Sequence, residues 1–265
     1  MIMQPEFVLL YKKRGETPLE AINRLKGDHL EYQDLKLSYL GRLDPMAEGL
    51  LIIAVGEANK KREEYLSLPK EYEFEVLFGF ETDTYDLLGL VNQNAGCVYR
   101  SERDPSRVGE GWVENERNIT SSLVNMIGKH TQTYPPYSSK TVNGKPLWEY
   151  SREGKLDEIE MPTRDVEIYS LELLETKMVK KEFLIAEIPS RVAEVRGDFR
   201  QAEITSQWQK VLKDSPRSEY QIAKFKISCS SGTYVRTLAH EMGQKLGCGA
   251  LAFSIKRTKI GNYFI

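Results

Sequence analysis

Residues 223–249 read AKFKISCSSGTYVRTLAHEMGQKLGCG, and their pattern decides the class of fold. Ala223, Phe225, Ile227 and Cys229 alternate with Lys224, Lys226 and Ser228, the period of two that belongs to a strand with one buried face. Ser231 and Gly232 break the alternation. Val235, Leu238, Ala239, Met242 and Leu246 then recur at helical spacing until Gly247 and Gly249 stop the run. A half-buried strand feeding an amphipathic helix predicts a sheet covered by helices. Farther out, Tyr72, Phe74, Val76 and Phe78 alternate with Glu71, Glu73 and Glu75 in a second such strand. Phe7–Tyr11, Leu50–Val55, Val166–Leu174, Phe183–Ile188, Leu251–Ile255 and Asn262–Ile265 supply further strand material. Thr17-Pro18 caps a helix that carries Leu19, Ile22 and Leu25 on one face and ends at Gly27. Helical patterns also begin at Gly56-Glu57 and span residues 119–127, 147–152 and 204–212. The class is α+β, a mostly antiparallel mixed sheet flanked by helices and loops.

With 265 residues, 40% hydrophobic and 29% charged, the chain has the composition of an ordinary globular protein. It reads as one domain, 1–265, with polar surface insertions near 92–118 and 189–218. Leu50–Val55 falls far short of the roughly 20 apolar residues a membrane helix needs. The N-terminus lacks the basic start and apolar core of a secretory signal, so a cytoplasmic protein is expected. Cys97, Cys229 and Cys248 are odd in number and widely spaced, and His29, His130 and His240 are scattered, so neither a disulfide framework nor a metal site is expected. A net charge of −2 does not demand a nucleic-acid partner. Lys12-Lys13-Arg14, Lys60-Lys61-Arg62 and Lys180-Lys181 permit one.

Chemistry is concentrated in two segments. In Gly41-Arg42-Leu43-Asp44-Pro45-Met46-Ala47-Glu48-Gly49 an aspartate lies between a leucine and a proline with a glycine on either side, a setting that can hold a carboxylate exposed. An Asp-Pro turn whose carboxylate bonds a nearby amide fits the same residues. In Ser231-Gly232-Thr233-Tyr234-Val235-Arg236 the chain crosses from strand to helix, and Arg236 is a cation suited to pairing with a carboxylate; an ordinary exposed first-turn arginine fits as well. No phosphate-cradling glycine loop and no Gly-x-Ser-x-Gly elbow occurs. Carboxylate chemistry remains, together with tyrosines at 72, 134 and 234 that can stack on a base.

These segments resemble the TruB-type pseudouridine synthases. Gly41 to Leu50 is similar to the family's Gly-x-Leu-Asp-Pro-x-Ala-x-Gly-x-Leu signature, and Gly56-Glu57-Ala58-Asn59-Lys60 to its Gly-Glu-Ala-Thr-Lys. Lys70-Glu71-Tyr72 and Thr82-Asp83-Thr84-Tyr85-Asp86-Leu87-Leu88-Gly89 follow. Gln132 with Pro135 to Lys140, Gly144 to Gly154, Cys229 to Leu238, Leu246 to Ala250 and Arg257-Thr258 complete the series in family order. The resemblance implies the pseudouridine synthase fold and an RNA-modifying isomerase that acts on a uridine flipped out of the T-loop of tRNA (position 55), with no metal or organic cofactor. It makes Asp44 the nucleophile, Arg236 its ionic partner and Tyr72 the aromatic that stacks on the base. Tyr234 and Ile255 line the pocket, Ile255 in place of a family leucine, and Lys60 lies near RNA phosphate. Ser38-Tyr39-Leu40-Gly41 departs from the family's Gly-His-x-Gly, so Tyr39 stands where a histidine meets the RNA loop. The chain is expected to lack the C-terminal RNA-binding extension of bacterial members and to act as a monomer. Two alternatives use the same residues: an RNA-binding or tRNA-folding protein without essential catalysis, and a synthase for another RNA.

Overall fold

The computed structural model describes residues 6–91, 119 and 125–265. The expected insertion at 92–118, and most of the helical pattern at 119–127, lie outside the described residues. Among the described residues nine strands form one sheet. β1 (Phe7–Lys12), β3 (Ala47–Val55), β10 (Ala250–Ile260), β4 (Lys70–Phe78), β9 (Glu219–Cys229), β8 (Thr163–Lys180) and β5 (Gly128–Thr133) lie side by side in that order. β2 (Leu37–Tyr39) pairs with β3 and β11 (Tyr263–Phe264) with β10. Every pairing in this sheet is antiparallel except β3 with β10, which is parallel. β6 (Thr141–Val142) and β7 (Lys145–Pro146) form a separate small ribbon.

The alternation read in residues 72–78 and 223–229 becomes the centre of the sheet. Phe74 and Phe225 are register partners, and their rings stack with centroids 5.3 Å apart. On that face Tyr72, Val76 and Ile227 join α1 (Pro18–Asp28) and α6 (Val235–Lys245) in one core, to which Ile22, Leu25, Leu238 and Met242 contribute. Helix α1 starts at a reciprocal cap: the Thr17 hydroxyl accepts from the Glu20 amide, and the Glu20 carboxylate accepts from the Thr17 amide. It runs through Gly27 to Asp28, one residue beyond the expected stop.

A second core contains Leu77, Ile222, Leu251 and Phe253, residues that alternate with those of the first. It is covered by α4 (Lys181–Glu194) and α5 (Gln201–Asp214), and Trp208 is wholly buried there. Here the structure corrects the sequence reading twice. Residues 183–188 are helical, not a strand, and the stretch expected as a surface insertion at 189–218 holds most of a helical hairpin with a buried inner face. The apolar run Phe183-Leu184-Ile185 suits either structure. What decides is the i, i+4, i+8 burial of Leu184, Ile188 and Val192, a pattern visible only if the helix is carried through Pro189.

Between β3 and β4 the lysine-rich stretch forms a 3-10 segment (Gly56–Lys61) and then α2 (Arg62–Ser67). α3 (Leu147–Glu153) follows β7 and ends on left-handed Gly154.

Candidate active site

The loop from Tyr39 to Ala47, the start of β4, the end of β10 and the β9–α6 junction meet around one open cavity of about 780 Å³. Asp44 lies in its wall. The Arg236 Nε donates to Asp44 Oδ2 at 2.7 Å, with the arginine side chain 3% exposed and the aspartate side chain 39%. Of the alternatives open in the sequence, the structure has the carboxylate held by a buried guanidinium.

Arg236 is itself fixed from several sides. Its Nη1 donates to the Thr84 carbonyl at 2.6 Å and its Nη2 to the Tyr137 carbonyl at 3.2 Å. The Asp86 Oδ2 lies 3.7 Å from its Nε. Asp86 is buried in a turn of its own, where Oδ1 accepts from the Thr84 hydroxyl and the Leu88 amide. Burial pushes its carboxyl up to about 6, although Arg236 and Thr84 favour the charged form. The sign follows from linkage: a folded-state value above the ordinary 3.8 stabilises the fold below that value, and the contribution is lost as pH rises through about 6. Native stability minus that of Asp86→Asn should therefore fall by roughly 2 kcal/mol between pH 4 and pH 7, checked by urea unfolding of both proteins. A difference independent of pH would refute the assignment.

The Asp44 loop rests on two buried cations. Lys12 donates to the Ala47 carbonyl at 2.5 Å and the Lys13 carbonyl at 3.1 Å, and burial pushes its ammonium down to about 8. Arg257 donates to the carbonyls of Leu50 (2.8 Å), Arg42 (3.1 Å) and Gly41 (3.4 Å). Carbonyls on both sides of Asp44 are thus pinned, which orients a loop too short to have a core of its own.

Aromatic and apolar groups supply the rest of the wall. Tyr72 is buried beside Arg257, its register partner on β10; burial raises its phenol above the ordinary range, and Arg257 opposes this in part. Ile255 packs two residues earlier on β10, paired with Phe74 and Ala47. The backbone of Tyr234 is clamped by Gln132, whose amide donates to the Tyr234 carbonyl (3.1 Å) and whose carbonyl accepts from the Tyr234 amide (2.8 Å). Its ring meets Tyr134 edge-on at 5.4 Å, and burial pushes its phenol up to about 12. Tyr39 lines the cavity from the end of β2. An anchored carboxylate in a cavity with aromatic walls is chemically capable of nucleophilic attack on a carbon beside a flat ring.

Six of the seven sequence-derived site residues therefore converge: Asp44, Tyr72, Arg236, Tyr39, Tyr234 and Ile255. Lys60 does not. It is a well-exposed residue of the 3-10 segment, paired with Glu57 at 2.5 Å and outside the cavity wall. Lys12, Asp86 and Arg257 received no individual role from the sequence. Lys12 carried a usable signal, since it follows Leu10 by two on β1 and so shares its inward face. Among the described residues no group of three or more His, Cys, Asp or Glu is placed to hold a metal ion, and no helix is long and apolar enough to cross a membrane.

Solved structures share this fold. A chain of the Cbf5-Nop10-Gar1 complex matches with a TM-score of 0.55 at 18% identity, over 97% of this chain and 49% of that one. A chain of an H/ACA RNP bound to a substrate RNA containing 2'-deoxyuridine matches at 0.53 and 17%, over 97% and 48%. The architecture is the pseudouridine synthase fold. Residues 29–189 match the model for the TruB family pseudouridylate synthase (N terminal domain). Proteins called tRNA pseudouridine synthase B are similar along nearly the whole chain. That of Aquifex aeolicus is 31% identical over 96% of this chain and 67% of its own, that of Aromatoleum aromaticum 33% over 97% and 63%, and that of Bordetella avium 32% over 97% and 81%. This chain belongs to the TruB family of pseudouridylate synthases. It spans about two thirds of the length of the first two of these relatives.

Proposed function

We propose that the protein converts a uridine in the T-loop of tRNA to pseudouridine, with Asp44 as the nucleophile. The observation that carries this reading is the 2.7 Å pair between Asp44 and the buried Arg236 in the wall of a cavity large enough for an extruded nucleotide. The reaction is an isomerisation. The bond from the ribose C1′ to N1 of uracil breaks, a bond from C1′ to C5 forms, the C5 proton leaves and N1 gains one. Arg236 keeps the carboxylate aimed, Tyr72 stacks on the base while it turns, and Tyr234 and Ile255 bound the space in which it turns. Tyr39 meets the RNA loop at the cavity edge. The residues need no metal or organic cofactor for these steps. The tRNA relatives support the choice of substrate, and we place the protein in the cytoplasm as a monomer.

The test is to incubate native protein with an unmodified tRNA transcript and map pseudouridine by position. Product at the T-loop uridine is expected. Tight binding without product would favour an RNA-folding protein, and product only in other RNAs would move the chemistry to a different substrate.

A further inference from the structure

The turn of the α4–α5 hairpin reaches the cavity, and one of its side chains touches both segments that supply Arg236 with carbonyl acceptors. Arg200 Nη1 donates to Asp83 Oδ2 at 2.8 Å, and Asp83 is the neighbour of Thr84. The same guanidinium lies 4.6 Å from the centre of the Tyr137 ring. The Thr84 and Tyr137 carbonyls are the two that hold Nη1 and Nη2 of Arg236. The turn is built to present this side chain: Arg200 adopts φ +63°, and Gln201 closes the loop by donating to the Val195 and Gly197 carbonyls.

The hairpin also reaches the other partner of the pair. Arg14 binds Glu194 at the end of α4 through two contacts of 2.7 Å, and the adjacent Gly15 amide donates to the carbonyl of Pro45, next to Asp44. The backbones are so close there that a Cβ on Gly15 would lie 2.3 Å from the Glu194 carbonyl oxygen. Residues 195–200 lie beyond the stretch that matches the family model, which stops at 189.

We propose that the α4–α5 turn is a brace that sets the geometry of the Asp44–Arg236 pair, with Arg200 as its positioning residue. The inference rests on the reading that this pair acts in catalysis. Arg200 acts through Asp83 and Tyr137 and not on the base, so its loss should lower turnover while leaving RNA affinity in place.

The experiment compares Arg200→Ala, Arg200→Lys and Asp83→Asn with the native protein by two readouts: kcat and KM on an unmodified tRNA transcript, and the NMR signal of the Arg236 Nε proton. Arg200→Ala should reduce kcat roughly tenfold or more with KM changed less than about threefold, and should shift or broaden the Arg236 signal. Arg200→Lys should recover part of kcat, because an ammonium still pairs with Asp83. Asp83→Asn, which leaves the turn's own bonds intact, should reproduce the loss if Arg200→Ala does not fold. A lower melting temperature with kcat and the Arg236 signal unchanged would overturn the proposal, leaving the hairpin as mere ballast. So would a raised KM at constant kcat, which would make Arg200 an RNA contact. If the native protein forms no pseudouridine, the functional reading fails separately. The Arg236 signal then decides the brace alone: displaced in the variants it stands, undisturbed it falls.

Discussion

Asp44→Asn should form no pseudouridine at a measurable rate, a loss of roughly ten-thousandfold or more, while still binding tRNA. The carboxamide has nearly the shape of the carboxylate but is neutral and a poor nucleophile. Its oxygen can still accept from Arg236 Nε, so the loop should keep its place. The side chain is 39% exposed, so water reaches it and softens the loss of its charge. Arg236 keeps the Thr84 and Tyr137 carbonyls and the nearby Asp86. Stability should therefore change far less than activity, and urea unfolding beside single-turnover conversion measures both. Residual conversion above about one per cent of native would assign the attack to another group.

Gly49→Ala should be strongly destabilising. Gly49 sits near the start of β3 at φ +113°, and an added Cβ would lie 2.3 Å from the Arg257 carbonyl oxygen and 2.8 Å from its amide nitrogen. Both atoms are backbone of the neighbouring strand, and Gly49 and Arg257 are register partners in the parallel pairing of β3 with β10. No side chain can swing aside, so the strands must separate. A cost of about 4 kcal/mol or more follows, which for a protein of this size lowers the melting temperature by roughly 10 °C. Gly56→Ala is the control. Its φ is +57° but nothing lies within 4 Å of the added carbon, so only the backbone preference is lost, about 1–2 kcal/mol. Equal effects at the two positions would show that conformation, not contact, dominates at Gly49. Displacing Arg257 would also release the carbonyls of Gly41, Arg42 and Leu50, so activity should fall with stability.

How far the sequence could be read depended on what each residue was doing. Period-two alternation in residues 72–78 and 223–229 and helical spacing in residues 235–246 reflect burial on one face, and the structure has each of them with close to the expected bounds. The parallel join of β3 to β10 leaves no local trace, because it depends on which distant strand fills the gap. Phe183–Ile188 was misread because a short apolar run has no period of its own and Pro189 looks like a boundary. Within the site, Asp44 and Arg236 were legible through a resemblance between motifs, with the pairing found at 2.7 Å. Lys12 was overlooked because a cation in a basic cluster reads as solvated, and Arg257 entered only as part of a motif, whereas these two side chains are spent on backbone carbonyls inside the protein. Lys60, to which its motif gives a phosphate contact, lies outside the cavity wall with its ammonium paired with Glu57 in solvent.

The pairing of β3 with β10 sets an order of events during synthesis. Asp44 leaves the ribosome early, but the strand that completes its seat, and the Arg257 that grips its loop, follow about 200 residues later. At ordinary elongation rates the interval is roughly 10–40 s. Throughout it the nascent chain carries Asp44 without the frame that aims it, and the Ala47–Gly49 end of β3, the part that β10 joins, waits with one edge unpaired. The synthase is thus silent until its late strand docks, so a ribosome-bound chain halted before residue 250 should neither modify RNA nor protect the amides of residues 47–49 from exchange.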